Sequence, residues 1–207
     1  MELLDIHTHK ADSNNLSSIY NSNIYIEERN ISIGIHPWNI SNDWKEFFTA
    51  IKEHARKENV RAIGECGIDK LKSPAGLEQQ IEIFKAHAIL AEEVNKPLII
   101  HCVKGFDELI ALHKELNPVQ AWIIHGFRGK PQQTEQLTKD GFYLSFGEKF
   151  NTESLKSTPV EKLFVESDES NLPIHEIYRN IAENKGISTE ELAMQTAQNA
   201  QKRGIFI

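Results

Sequence analysis

Short apolar runs recur along this chain, at about 3–6, 31–35, 61–65, 97–101, 121–125, 142–145 and 162–166. Most are rich in Ile, Leu and Val and too short for a helix, the pattern of strands buried on both faces. Between them the spacing changes to that of helices. Trp44, Phe47, Phe48, Ile51 and Ala55 predict a helix over 43–56. Leu77, Ile81, Phe84, Ala88 and Ala91 predict one over 75–94, with Ser73-Pro74 as its start signal. Leu109, Ile110 and Leu112 fall in a third helix over 107–116, and shorter helical segments are expected at 132–139 and around 152–156. Ser188-Thr189-Glu190-Glu191 is a capping-box pattern that opens a closing helix over 188–203. After the first run the chain is rich in Asn and Ser (Asp12-Ser13-Asn14-Asn15) and carries a second apolar run, Ile24-Tyr25-Ile26. A loop or an extra strand, not a full helix, is expected there.

Alternation of buried strands with helices implies a parallel sheet covered by helices. Seven or eight such units close into a (β/α)8 TIM-type barrel, and 207 residues make one α/β domain near the short end for that fold, so some units must be trimmed. An open doubly wound sheet fits the alternation equally well. Polar residues at so many strand ends favour the barrel, because only a barrel brings all those ends to one mouth.

Those polar residues carry the candidate chemistry. His7 and His9 follow the first run, Glu65 the third, His101 and His125 the next two, and Asp168 stands two residues after Glu166 behind the last. Imidazoles and carboxylates are ligands for divalent metal ions. His7 and His9, two apart on an extended segment, point the same way. Glu65, on the third strand–helix unit, could bridge two ions. His101, at the end of the fourth strand, and His125 beside it would take the second ion. Asp168 could bind the first while accepting a proton from its water. Two ions ~3.5–4 Å apart would polarise a phosphoryl oxygen and generate hydroxide near neutral pH. His54, His87, His113 and His175 read as surface or helix residues. Cys66 and Cys102 each follow a candidate ligand and read as small buried fillers with reduced thiols, a thiolate ligand being the sharper alternative.

The formal net charge of −7, with no dense basic run, counts against extensive duplex binding. It leaves room for a short contact at one strand end, because bound metal ions supply local positive charge. No apolar stretch approaches the ~20 residues of a membrane helix. Met1-Glu2-Leu3-Leu4-Asp5 lacks the features of a signal peptide and reads directly into the first strand, so a cytoplasmic monomer with nothing removed is expected. There is no Gly-x-Ser-x-Gly elbow, no Gly-rich loop ending in Gly-Lys-Ser/Thr and no dinucleotide fingerprint, which excludes those mechanisms.

In order along the chain stand Asp5-Ile6-His7-Thr8-His9, Gly34-Ile35-His36-Pro37, Gly64-Glu65-Cys66-Gly67-Ile68-Asp69, Pro97-Leu98-Ile99-Ile100-His101-Cys102, Ile124-His125-Gly126-Phe127-Arg128-Gly129 and Glu166-Ser167-Asp168. As a set they resemble the TatD family of metal-dependent deoxyribonucleases, within the amidohydrolase-like barrels. The resemblance implies two divalent ions (zinc, manganese, nickel or magnesium), one held by His7, His9, Glu65 and Asp168 and one by Glu65, His101 and His125. It implies hydrolysis of phosphodiesters, typically DNA from a 3′ end, with Asp168 as the water-activating base, Glu65 at the catalytic centre and His36 near the substrate. The chain departs from the family at Trp38, where a second histidine is common, at Lys70, where tyrosine is common, at Val103, where a basic residue is common, and at Arg128, where a small polar residue is usual. Proline tends to follow the position of Asp168; here Glu169 does. Lys70, Lys104 and Arg128 are the expected phosphate contacts for a DNA end or a small phosphoester. Two other functions fit the same ligands: hydrolysis of a C–N or C–O bond in a small molecule, and a non-catalytic barrel that keeps its metal for stability or partner binding.

Overall fold

The computed structural model describes residues 3–10 and 17–205. Asp12 to Asn15 lie outside the described residues. Eight parallel strands form one sheet in sequence order: β1 (Asp5–Thr8), β2 (Ser18–Ser22), β3 (Ile31–Ile33), β4 (Val60–Asp69), β5 (Leu98–Val103), β6 (Trp122–Ile124), β7 (Tyr143–Phe146) and β8 (Leu163–Val165). β8 returns to β1 through a bridge between Thr8 and Asp168. There the Asp168 N–H donates to the His7 carbonyl at 3.0 Å, and the His9 N–H donates to the Asp168 carbonyl at 3.1 Å. The sheet is therefore a nearly closed (β/α)8 TIM-type barrel, and the open doubly wound alternative does not hold.

The helices are α1 (Trp44–His54), α2 (Leu77–Val94), α3 (Phe106–Leu116), α4 (Pro131–Lys139), α5 (Thr152–Ser157), α6 (Ile174–Lys185) and α7 (Thr189–Lys202). α7 opens with the expected capping box: the Glu191 N–H donates to Ser188 Oγ at 3.1 Å, and the Ser188 N–H to Glu191 Oε2 at 2.8 Å. α6 was not anticipated. Its apolar residues Ile174, Ile177, Tyr178, Ile181 and Ala182 keep helical spacing, and it starts behind Pro173, which has no N–H to leave unpaired.

The first third of the barrel differs from the sequence reading. The extra strand is Ser18–Ser22, and the Ile24-Tyr25-Ile26 run is not a strand. The chain turns out of the barrel at Ser22, whose Oγ donates to the Ile24 carbonyl at 2.7 Å, and Ile24 ends up exposed. β2 shifts the count, so Glu65 lies on the fourth strand and His101 on the fifth.

One apolar cluster joins the outside of the sheet to the helices through Phe48, Ile51, Phe84, Leu109, Leu137, Tyr178, Ile181 and Leu192. A second takes residues from seven strands or strand starts: Leu4 and Ile6, Ile19, Ala62, Ile99, Ile123, Tyr143 and Phe164, with Ala200 and Ile205. In it, contributions from all the strands but β3 fill the barrel axis. It seals the barrel below the mouth and leaves the C-terminal strand ends to polar side chains.

Candidate metal centre

Side chains in a barrel strand alternate between the axis and the helices. From the axial residues Ile99, Ile123 and Phe164, two steps along the chain reach His101, His125 and Glu166, and four reach Asp168. From Ile19 two steps reach Asn21. β1 and β4 do not keep this phase. Ile6 and His7 are adjacent, and Ala62 and Glu65 are three apart, yet all four face inward. The register slips in both strands, between Asp5 and Thr8 against β2 and between Ile63 and Cys66 against β5. Such bulges turn the next side chains over, and here they bring His7 and Glu65 into the mouth. Gly64, at φ +137°, permits the second: a Cβ there would stand 2.4 Å from the Ile99 carbonyl oxygen.

Glu65 is the centre of the site. It is 2% exposed, and its two oxygens face different partners. Oε1 lies 2.7 Å from His125 Nε2, 3.0 Å from His101 Nδ1 and 3.1 Å from His36 Nε2. Oε2 lies 3.5 Å from His7 Nε2 and 3.4 Å from His9 Nε2, and accepts a bond from Asn21 Nδ2 at 3.1 Å. Asp168 Oδ1 closes the Oε2 side at 3.9 Å from His7 and 3.6 Å from His9. Thus all six expected ligands, His7, His9, Glu65, His101, His125 and Asp168, meet at one mouth. His36, expected beside the substrate, also reaches it and touches the same oxygen as His101 and His125.

Charge in the cluster is strongly coupled. Burial disfavours the charged form of Glu65, but His125 and the hydrogen bonds from His101, His125 and His36 outweigh it and hold the carboxyl well below its ordinary range. Burial also opposes a charge on His125, yet the Glu65 and Glu166 carboxylates raise it well above an ordinary histidine. His9 is raised by its contact with Glu65. His7 goes the other way: complete burial and the nearby His125 keep it neutral. Among the described residues neither nitrogen of His7 has a hydrogen-bond partner. A buried imidazole left in this state is costly, and a cation facing its Nε2 would satisfy it. The donor set fits divalent ions by type as well. Groups of three ligand atoms lying within 4.8 Å of one another occur at His7, His9 and Glu65, at His7, His125 and Asp168, and at His36, Glu65 and His101.

Three residues that hold the ligands were not singled out from sequence. Asp69 Oδ2 lies 3.2 Å from His101 Nε2 and accepts the Trp38 indole N–H at 2.6 Å, while its Oδ1 accepts the Leu71 and Lys72 N–H groups. Burial alone would raise this carboxyl, but those bonds bring it down to about 2. Glu166 accepts the Gly126 N–H at 2.6 Å and stands 3.6 Å from His125 Nδ1. Asp5, buried, accepts both the N–H and the hydroxyl of Ser167, tying β1 to the loop that carries Asp168. The signal for two of them was present: Asp69 ends the Glu65 motif, and Glu166 shares strand phase with Asp168. Carboxylates behind ligating histidines fix ring orientation and basicity.

The expected phosphate contacts divide. Lys104 and Arg128 line a 740 Å³ cavity together with Lys130, Phe106, His101, His125 and Asp168. Lys130 was not anticipated. Lys70 is held by Glu108 at 2.5 Å and lines neither this cavity nor the 390 Å³ one beside it. Burial pushes the Cys102 thiol up to about 12 and the Cys66 thiol well above its ordinary value, so both stay protonated; Cys66 is the expected buried filler, whereas Cys102 is only partly buried and lines the 740 Å³ cavity. His87 is a helix residue, as expected, but fully buried: its Nε2 accepts the Ile35 N–H at 3.0 Å and its Nδ1 bonds the Ile83 carbonyl at 2.8 Å. Among the described residues no helix is long and apolar enough to cross a membrane.

Comparison with known proteins agrees with this geometry. A Bacillus subtilis metal-dependent hydrolase, YabD, is 32% identical over 192 residues, covering 83% of this chain and 75% of that one. The 3′-5′ ssDNA/RNA exonuclease TatD of Erwinia tasmaniensis is 26% identical over 196 residues, covering 82% and 75%. The crystal structure of YJJV, a TatD homologue from Escherichia coli, superposes with a TM-score of 0.83 at 19% identity over 100% of this chain and 99% of that one. The family model for TatD-related DNases matches residues 3–203, and the chain belongs to this family of metal-dependent hydrolases.

Proposed function

We propose that this hydrolase cleaves phosphodiester bonds in DNA, shortening a single strand from its 3′ end, at a centre of two divalent ions joined by Glu65. The observation that carries the reading is the division of labour at Glu65, whose Oε1 and Oε2 each face a separate set of imidazoles. His7, His9 and Asp168 with Oε2 would hold one ion; His101 and His125 with Oε1 would hold the other, His36 lying against the same oxygen. A mixed histidine–carboxylate set suits zinc, manganese or nickel better than magnesium. When bound, such ions polarise the phosphoryl oxygen and lower the pKa of water.

The protein's own groups do the rest. Asp168, part exposed at the edge of all three cavities around the mouth, is placed to take the proton of an attacking water. Asn21 steadies Glu65 twice, donating to Oε2 and accepting the Glu65 N–H at 2.9 Å. Lys104, Arg128 and Lys130 lie along the larger cavity leading from the ligands and suit the phosphates of the strand behind the scissile bond. The exonuclease name of the Erwinia relative supports the same substrate.

An end-labelled single-stranded oligonucleotide incubated with magnesium, manganese or zinc tests the reading. A ladder shortening from the 3′ end is expected with the wild type, and a rate about 10²–10⁴-fold lower with Asp168→Asn. An intact oligonucleotide in every metal would overturn DNA as the substrate.

A further inference from the structure

Trp38 is one of the chain's departures from its family, and the structure gives it an unusual position. It sits on the short turn Pro37–Asn39, 43% exposed, and lines both the 390 Å³ and the 740 Å³ cavity. It shares that position with His101, His125 and Asp168. The ring cannot swing freely. Its N–H is bonded to Asp69, the Lys72 ammonium lies 4.4 Å from the ring centroid, and the His36 and His101 rings meet it edge-on at 4.8 and 5.7 Å. A large flat ring is therefore fixed beside two of the imidazoles that face Glu65, with the Lys104, Arg128 and Lys130 cations beyond it. An exposed indole has little reason to be held so firmly for stability alone. A fixed aromatic face next to a cationic track is what holds an unpaired base, because every base has a π face while the cations take the phosphates.

We propose that Trp38 is the seat of an unpaired nucleobase at the scissile end of the strand, a specificity-determining contact that separates nucleotides from small phosphoesters. The proposal rests on the phosphodiesterase reading above and names what that site recognises beyond the phosphate. Asp69 holds the indole through its N–H, so Phe at position 38 would keep a ring but lose its anchor.

Fluorescence separates the two ideas. Trp44 and Trp122 are 8% and 1% exposed, so quenching by a small ligand reports on Trp38. Purified protein is titrated with deoxyadenosine monophosphate and with deoxyribose 5-phosphate, which lacks the base. The nucleotide is expected to quench and to bind more tightly. In calorimetric titrations, which do not depend on the indole, Trp38→Ala should weaken nucleotide binding about tenfold, equivalent to about 1.4 kcal/mol, and leave deoxyribose 5-phosphate unchanged, with Trp38→Phe between them. In cleavage, Trp38→Ala should raise KM for an ordinary oligonucleotide above that of Trp38→Phe, which loses the same bond to Asp69, and that difference should vanish for one whose terminal residue is abasic. Equal binding of the two ligands, or no quenching by either, would overturn the base seat. Quenching by the nucleotide without cleavage of any oligonucleotide would support the seat and sink the phosphodiesterase reading instead.

Discussion

The two sides of Glu65 are built differently. On the Oε1 side His101 is bonded to Asp69 at 3.2 Å and His36 is carried by a segment pinned through the Ile35 N–H to His87, while Glu166 stands 3.6 Å from His125 Nδ1 without a hydrogen bond. On the Oε2 side His7 has no hydrogen-bond partner among the described residues, His9 is 35% exposed, and Asp168 reaches them only at 3.6 to 3.9 Å. The Oε1 side has more hydrogen bonds from the protein to its imidazoles; the Oε2 side gathers ligands that a cation would draw together. The Oε2 side also holds Asp168, the group proposed to handle the proton, so under that proposal fewer protein contacts fall where a water would enter and leave.

Removing the shared group should break the comparison outright. Glu65→Gln takes the negative charge from both sides at once, and binding of both ions and all hydrolysis are expected to disappear; calorimetric titration with zinc or manganese shows whether either side survives alone. Removing the supports should sharpen it. Asp69→Asn and Glu166→Gln are each expected to weaken only the ion on the Oε1 side, by about 10–100-fold, leaving one unaltered and one weakened step in the same titration. Two equally weakened steps would show that the sides are not independent.

A further effect concerns stability. Burial lowers His87 to about 4 from an ordinary value near 6.5, the Ile83 carbonyl only partly offsetting this. Above pH 6.5 both folded and unfolded chains keep it neutral and nothing is lost. Between 6.5 and 4 the unfolded chain takes up the proton first, so stability falls with falling pH by up to about 3 kcal/mol. Asp5, raised to about 7 mainly by burial, acts in the opposite sense, stabilising the fold as pH falls below 7. The difference between wild type and His87→Gln therefore isolates the histidine: in urea unfolding, lowering the pH from 7 to 5 should cost the wild type about 2 kcal/mol relative to the variant, whatever the slope of either alone.

The same contrast explains what the sequence revealed. The Oε1 ligands were readable because β5 and β6 are regular: an apolar run, then a histidine in phase with the axis. The apolar runs also marked most of the other strands, and helical spacing marked all the helices but α6. The bulges were hidden. Ile6–His7 and Ala62–Glu65 are out of phase by simple alternation, and nothing in Asp5-Ile6-His7 announces a slip; the position after an apolar run and the family resemblance marked the two residues but not the bulges that turn them inward. β2 was hidden because Ser-Ile-Tyr-Asn-Ser buries one aliphatic residue on the axis and spends the next inward position on Asn21, which serves Glu65. The apolar run Ile24-Tyr25-Ile26 pointed to the wrong segment. The supporting carboxylates were hidden for a different reason: Asp69 and Glu166 look like any other acid until the ring each stands behind is known.

The central claim is that Glu65 joins two separate cation pockets. Anomalous scattering from crystals grown with manganese tests it most directly. Two peaks are predicted, one beside Oε1 with His101 and His125 and one beside Oε2 with His7, His9 and Asp168. A single peak, or two of which neither contacts Glu65, would contradict it.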